Sequence, residues 1–95
     1  MKIYVKSNFV IAGMGNGNFV DLDRSQLTLR EFLKELSERG STGVEYVRPG
    51  AQTIDPAEWE ISINDIPYHQ WSGGLGSSLK DGDTVTIIII PLGGG

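Results

Sequence analysis

The sequence predicts a single α+β domain in which one main helix packs on one face of a sheet. Three observations carry this reading. Strand-like segments with alternating apolar residues open the chain and return in its second half. A capped amphipathic helix stands between them. The last apolar run, Thr84-Val85-Thr86-Ile87-Ile88-Ile89-Ile90, reads as apolar on both faces, the pattern of a central strand covered on both sides.

Each element has its own signal. Lys2 to Ser7 places Ile3 and Val5 on one side, the period of a half-buried strand, and Phe9-Val10-Ile11 extends it. The run Gly13-Met14-Gly15-Asn16-Gly17-Asn18 follows, and then Phe19-Val20-Asp21-Leu22. Asn-Gly between apolar runs marks a hairpin, because both residues tolerate positive φ. Thr28-Leu29-Arg30-Glu31 is a capping box: the threonine hydroxyl accepts from a free backbone N–H, and the glutamate reaches back to the N–H of the cap. Leu29, Phe32, Leu33 and Leu36 form one apolar stripe, with Arg30, Lys34, Glu35 and Glu38 turned to water. The helix is expected over 29–39, and Gly40 suits the left-handed position that ends it.

Residues 41–56 read mostly as surface loop, with a short strand around Val44 and Tyr46-Val47 and a turn at Arg48-Pro49-Gly50. Trp59 to Asn64 alternates again, and Asn64-Asp65 turns the chain into Ile66-Pro67-Tyr68, where proline suggests a sheet edge. Residues 73–78 are expected to be a flexible connection, and Leu79-Lys80-Asp81-Gly82-Asp83 a tight turn into the last strand. The first and last strands are therefore candidates for central neighbours. Paired in parallel beneath one helix, they would make the β-grasp arrangement, with the domain over 1–90 and a flexible glycine-rich tail over 91–95.

Composition narrows the function classes. The chain has 95 residues, no cysteine and a formal net charge of -4. Without cysteine there is no disulfide, thiolate metal site, cysteine nucleophile or protein persulfide. The acidic balance argues against nucleic-acid binding and favours a basic partner surface. The longest apolar run, Ile87 to Ile90, is far too short for a bilayer span, and the first residues lack a signal-peptide pattern. The expectation is a cytoplasmic protein with no membrane contact.

Most candidate sites have ordinary structural explanations. Gly13 to Gly17 lacks the G-x-G-x-x-G spacing and opens no helix, so it reads as a hairpin turn and not as a phosphate loop. His69, the only histidine, has no visible catalytic partner. Asp81 and Asp83 flank Gly82 without an EF-hand pattern, and Asp55 and Asp65 also sit in turns. No Ser/His/Asp constellation can be assembled. Trp59 reads as a core anchor, while Trp71, among glycines, could be buried or could contact a partner. Which of Phe9, Leu79, Ile87 or Ile89 faces outward is open.

What stands out is the end. A core strand runs into Pro91-Leu92-Gly93-Gly94-Gly95. Glycine can thread a narrow slot and presents an uncrowded carboxylate. A frayed tail and a cloning remnant are the plain alternatives.

The hairpin with its capped helix, Ile61-Ser62-Ile63-Asn64-Asp65 before a turn, and Leu79-Lys80-Asp81-Gly82-Asp83-Thr84-Val85 ahead of terminal glycines together resemble the MoaD/ThiS family of ubiquitin-like sulfur carriers. The resemblance covers most of the chain and is weakest at 41–57 and 73–78. It implies a β-grasp, ubiquitin-like mixed sheet with one main helix across it. It also implies a protein cosubstrate and not an enzyme, with no cofactor bound by the carrier itself. An E1-like adenylyltransferase would use ATP to adenylate Gly95, and a sulfur donor enzyme would convert the acyl-adenylate to a thiocarboxylate. A sulfur-accepting synthase of the molybdopterin or thiamin type would then take the sulfur. Gly94 and Gly93 would enter the partner's active site. The family's tail carries a glycine pair after a larger residue, whereas this chain has three glycines. A ubiquitin-like modifier joined to other proteins through its terminal carboxyl shares the activation step and stays open, as does a β-grasp interaction domain with an idle tail.

Overall fold

The computed structural model describes residues 1–8, 18–39, 46–48 and 50–90. The elements follow in the order β1 (Lys2–Ser7), β2 (Phe19–Asp21), β3 (Leu27–Thr28), α1 (Leu29–Arg39), β4 (Trp59–Ile63), β5 (Ile66–Pro67), two short 3-10 turns at Tyr68–Gln70 and Gly74–Gly76, β6 (Ser78–Leu79) and β7 (Thr84–Ile89). The main sheet has the order β2-β1-β7-β4-β5. The first and last strands are central neighbours and parallel, with Tyr4 opposite Thr84 and Ser7 opposite Ile87. Antiparallel β2 flanks β1, and antiparallel β4 flanks β7. This is the mixed β-grasp sheet with one helix that the sequence predicts.

Local chemistry explains the elements. The capping box forms as a reciprocal pair: Thr28 N–H donates to Glu31 Oε1 at 3.0 Å, and Glu31 N–H donates to Thr28 Oγ1 at 3.2 Å. The apolar stripe Leu29, Phe32, Leu33 and Leu36 is buried, against Ile3, Val5, Val20, Ile61, Ile63, Val85 and Ile87 of the sheet. Each of the larger side chains contributes about 1.5–3 kcal/mol by leaving water. Asn64 and Asp65 both take positive φ, 51° and 67°, as a two-residue hairpin between β4 and β5 requires. Pro67 lies in the edge strand, where its missing N–H costs no ladder bond.

Several expectations need correction. The last strand is central but covered on one face only. Val85 and Ile87 are fully buried under the helix, whereas Thr84, Thr86 and Ile88 are half-buried on the outer face and Ile89 is 42% exposed. Its isoleucines made it look covered on both sides, yet the single helix can shield only one. The stretch 73–78 is not a bare flexible connection. Its 3-10 turn buries Leu75, and Ser78-Leu79 pairs with Leu27-Thr28 in a second, two-stranded sheet. Tyr46 and Val47 form a bend instead of a strand, with Tyr46 buried against Trp59, ring centroids 4.9 Å apart. The expected extension at Phe9-Val10-Ile11, the Gly13–Gly17 turn, Gly40, Val44, Pro49 and the tail 91–95 lie outside the described residues.

Candidate functional site: the root of the C-terminal tail

Gly93, Gly94 and Gly95, the residues the sequence singles out, lie outside the described residues. What the structure describes is the root from which they extend. Ile89 ends β7, and Ile90 N–H donates to Glu58 O at 2.9 Å, carrying the β4 contact one residue past the strand. On the β1 side, Asn8 grips Ile89 from both directions. Its Nδ2 donates to Ile89 O at 3.1 Å, and its Oδ1 accepts from Ile89 N–H at 2.9 Å. Sequence reasoning missed Asn8. The only signal was a polar amide directly after an alternating strand.

Register places the surroundings. Side chains that pair directly share a face of a sheet, so Tyr4, Phe19 and Thr84 lie on the outer face together with Lys6, Thr86, Ser62, Glu60 and Ile88. Tyr4 and Phe19 are 37% and 39% exposed and meet edge to face, and Lys2 Nζ sits 4.5 Å from the Phe19 ring centroid. At the tail end, Ile90 lines a cavity of about 480 Å³ together with Ile54, Pro56, Trp59, Pro67 and Tyr68. Glu60 and His69 also line this cavity. Of the four residues whose orientation the sequence left open, Leu79 and Ile87 are buried and Ile89 is exposed, while Phe9 lies outside the described residues.

The remaining candidates resolve into turn and packing roles. Asp83 accepts from Lys80 N–H at 2.8 Å and from Asn64 Nδ2 at 3.0 Å, and Asp81 accepts from Lys2 N–H at 2.6 Å. Both Asp83 oxygens and Asp81 Oδ1 are therefore taken up by amides. Asp55 Oδ1 accepts from Ala57 N–H at 2.9 Å. His69 is exposed and edge-on to Tyr68, ring centroids 5.7 Å apart. Trp59 is half-buried against the core, and Trp71 is half-buried with its indole N–H on Ile66 O at 3.3 Å. Among the described residues, no three His, Asp or Glu side chains converge as a metal group would require. No helix there is long and apolar enough to cross a membrane.

The perturbed carboxyl is remote from the root. Glu31 is held below the usual carboxylate range, first by the Thr28 backbone N–H and then by the Arg24 guanidinium 2.7 Å away.

No protein-family model matches the chain, and no curated protein is a match to it. Solved structures do resemble it. CysO in its complex with BexX from Amycolatopsis orientalis is similar at a TM-score of 0.64 and 22% identity, over 97% of this chain and 99% of that one. Mycobacterium tuberculosis CysO, an antigen, is similar at a TM-score of 0.63 and 23% identity, over 94% of this chain and 99% of that one. At this identity the likeness shows a shared fold along nearly the whole chain.

Proposed function

We propose that this chain is a sulfur carrier of the MoaD/ThiS type: a protein cosubstrate that holds sulfur as a thiocarboxylate on Gly95. The observation that carries this reading is the tail root. A central strand of a CysO-like fold is held on both sides up to Ile89 and Ile90, and the sequence beyond it ends in three glycines. A chain without cysteine has no thiol on which to carry sulfur, so the carboxyl terminus is where we place it.

The chemistry needs activation because a carboxylate is a poor electrophile. In the proposed sequence the Gly95 carboxylate attacks the α-phosphorus of ATP, pyrophosphate leaves, and an acyl-adenylate forms. Sulfide from a donor then adds to the acyl carbon. The C–S bond forms, the C–O bond to AMP breaks, and the proton of hydrosulfide is released to water. The mixed anhydride must be kept from water, which an enclosed partner site accomplishes. Gly94 and Gly93 lack Cβ, so they suit the narrow entrance to such a site. The carrier contributes the carboxyl and its presentation, and the partners contribute catalysis.

Partners of three kinds follow from this reading: an E1-like adenylyltransferase, a sulfur donor enzyme and a sulfur-accepting synthase. CysO of the same fold is found in a complex with another protein, BexX, which supports a partner-dependent role. The outer sheet face with Tyr4, Phe19 and Ile88 is the docking surface we assign, and the net charge of -4 favours a basic partner. The acceptor is a synthase that builds a sulfur-containing product, with molybdopterin and thiamin-type cofactors as the proposed classes. A cytoplasmic setting, where ATP is at hand, fits this reading.

Intact mass spectrometry of the full chain tests it. After incubation with its activating enzyme, ATP and sulfide, the chain should gain the mass difference of sulfur replacing one oxygen. Adducts to other proteins, lost on removal of Gly94 and Gly95, would instead make it a modifier. Partner binding and cellular function that survive that truncation would leave an interaction domain with an idle tail.

A further inference from the structure

We infer that Asn8 is a positioning residue for the reaction proposed above: its side-chain amide completes β7 at the tail root and so fixes the direction in which the tail leaves the domain. The inference rests on that functional reading and adds a residue to it.

The argument starts from the geometry of a parallel ladder. Tyr4 N–H donates to Asp83 O at 2.8 Å, and Tyr4 lies opposite Thr84. Even-numbered residues of β1 therefore direct their backbone groups toward β7. Continued to the end of β7, this pattern would give Ile89 N–H to the carbonyl of residue 8, and Ile89 O would accept from the N–H of residue 10. β1 ends at Ser7. At Ile89 one planar amide makes both bonds. Asn8 Oδ1 takes the N–H and Asn8 Nδ2 supplies the donor, at 2.9 and 3.1 Å.

Side-chain chemistry narrows this role to asparagine. The site needs one donor and one acceptor in a plane at a fixed reach. Aspartate offers two acceptors at neutral pH, and one would face Ile89 O. Alanine offers neither group, and serine offers both only on a single oxygen with a shorter reach. On the opposite edge, Ile90 N–H is bound by Glu58 O and Ile89 lies opposite Trp59. The last two described residues are thus tied in alternation, Ile89 toward β1 by a side chain and Ile90 toward β4 by the main chain. Asn8 is exposed, so the clamp adds little buried area to the fold.

The consequence is kinetic. Fixing the backbone of one residue corresponds to about a tenfold change in an equilibrium constant. A root that is ordered before encounter spares the partner that step, and one that is loose must be ordered as the tail enters. Loss of the clamp should then appear in the productive entry of Gly95 and leave the core undisturbed.

Asn8→Ala in the full chain tests this with two readouts. The first is amide hydrogen exchange by NMR. Exchange at Ile89 should rise about tenfold, the change expected for freeing one ordered residue, while Val85 and Ile87 keep the wild-type rate. The second is thiocarboxylate formation with the activating enzyme, ATP and sulfide, where kcat/KM should fall by a similar factor of about ten. Faster exchange at Val85 and Ile87 as well would make Asn8 a general stabilising residue and overturn the positioning role. So would unchanged exchange at Ile89, or wild-type kcat/KM despite faster exchange there. A wild-type chain that gains no sulfur overturns the functional reading, whereas a reacting wild type matched by an equally reactive variant overturns only this inference.

Discussion

At its start, β7 is fastened from several directions. Tyr4 N–H reaches Asp83 O, Asn64 N–H reaches Thr84 O, Thr84 N–H reaches Asn64 Oδ1, and Asp83 accepts from both Lys80 N–H and Asn64 Nδ2. Gly82 N–H donates to Lys2 O, and Asp81 accepts from Lys2 N–H, so the turn also locks the beginning of β1. At its other end, β7 keeps the Asn8 amide on one edge and the Glu58 carbonyl on the other. The difference separates two duties along one strand. The Asp-Gly-Asp end joins three segments distant in sequence and serves stability. The Ile89-Ile90 end is held, among the described residues, by the Asn8 amide and the Glu58 carbonyl, and in the proposed function it is the root of presentation.

If that division is right, changes beyond the tail end abolish chemistry without touching stability, and changes at the turn end do the reverse. The largest effect is expected from Gly94→Val. Thiocarboxylate formation should fall below detection by intact mass, because a β-branched side chain fills the slot that glycine threads, while the melting temperature stays at the wild-type value. Asp83→Ala should act the other way. It removes two exposed hydrogen bonds, from Lys80 N–H and Asn64 Nδ2, each contributing about 0.5–1.5 kcal/mol. In a domain of this size each kcal/mol lowers the melting temperature by about 4–8 °C. Thermal unfolding and the thiocarboxylate yield per folded molecule, read together, check this.

A smaller loss follows at Gly82, whose φ is +90° and where a Cβ would meet only open space. Gly82→Ala should destabilise by about 1 kcal/mol through backbone strain alone, measured by urea unfolding at unchanged slope. The smallest effect lies away from both ends, in the pH dependence set by Glu31. Its folded pKa is lowered, so its contribution is present above the unfolded carboxylate pKa and is lost as pH falls through the lower folded value. Glu31→Gln should flatten the acid limb of the stability profile and leave stability near neutrality changed far less than Asp83→Ala leaves it. Urea midpoints collected from neutral to acid pH would show this.

The same two ends differ in how far they could be read from sequence. The turn end was legible because its chemistry is local: Asp-Gly-Asp and Asn64-Asp65 carry their conformations in their residue types. The helix was legible for the same reason, since Thr28 and Glu31 cap each other across one turn. The parallel pairing of β1 and β7 followed from combining elements, and it formed as expected. The clamp at the tail end was not legible, because Asn8 and Ile89 are distant in sequence and asparagine is common after strands. The outer face was misread, because four consecutive isoleucines look buried on both sides although one helix covers only one. Leu75 was missed because its glycine neighbours suggested flexibility, although the turn they allow carries it into the core.

The central claim is that sulfur resides on the carboxyl of the last glycine. Tryptic mass mapping of the full chain after incubation with activating enzyme, ATP and sulfide tests it most directly, because cleavage after Lys80 isolates the peptide from Asp81 to Gly95. The account predicts that this peptide alone gains the mass difference of sulfur for oxygen, and that the gain vanishes when Gly94 and Gly95 are removed. A gain on any other peptide, or none in the presence of an activating enzyme that binds the chain, would contradict it.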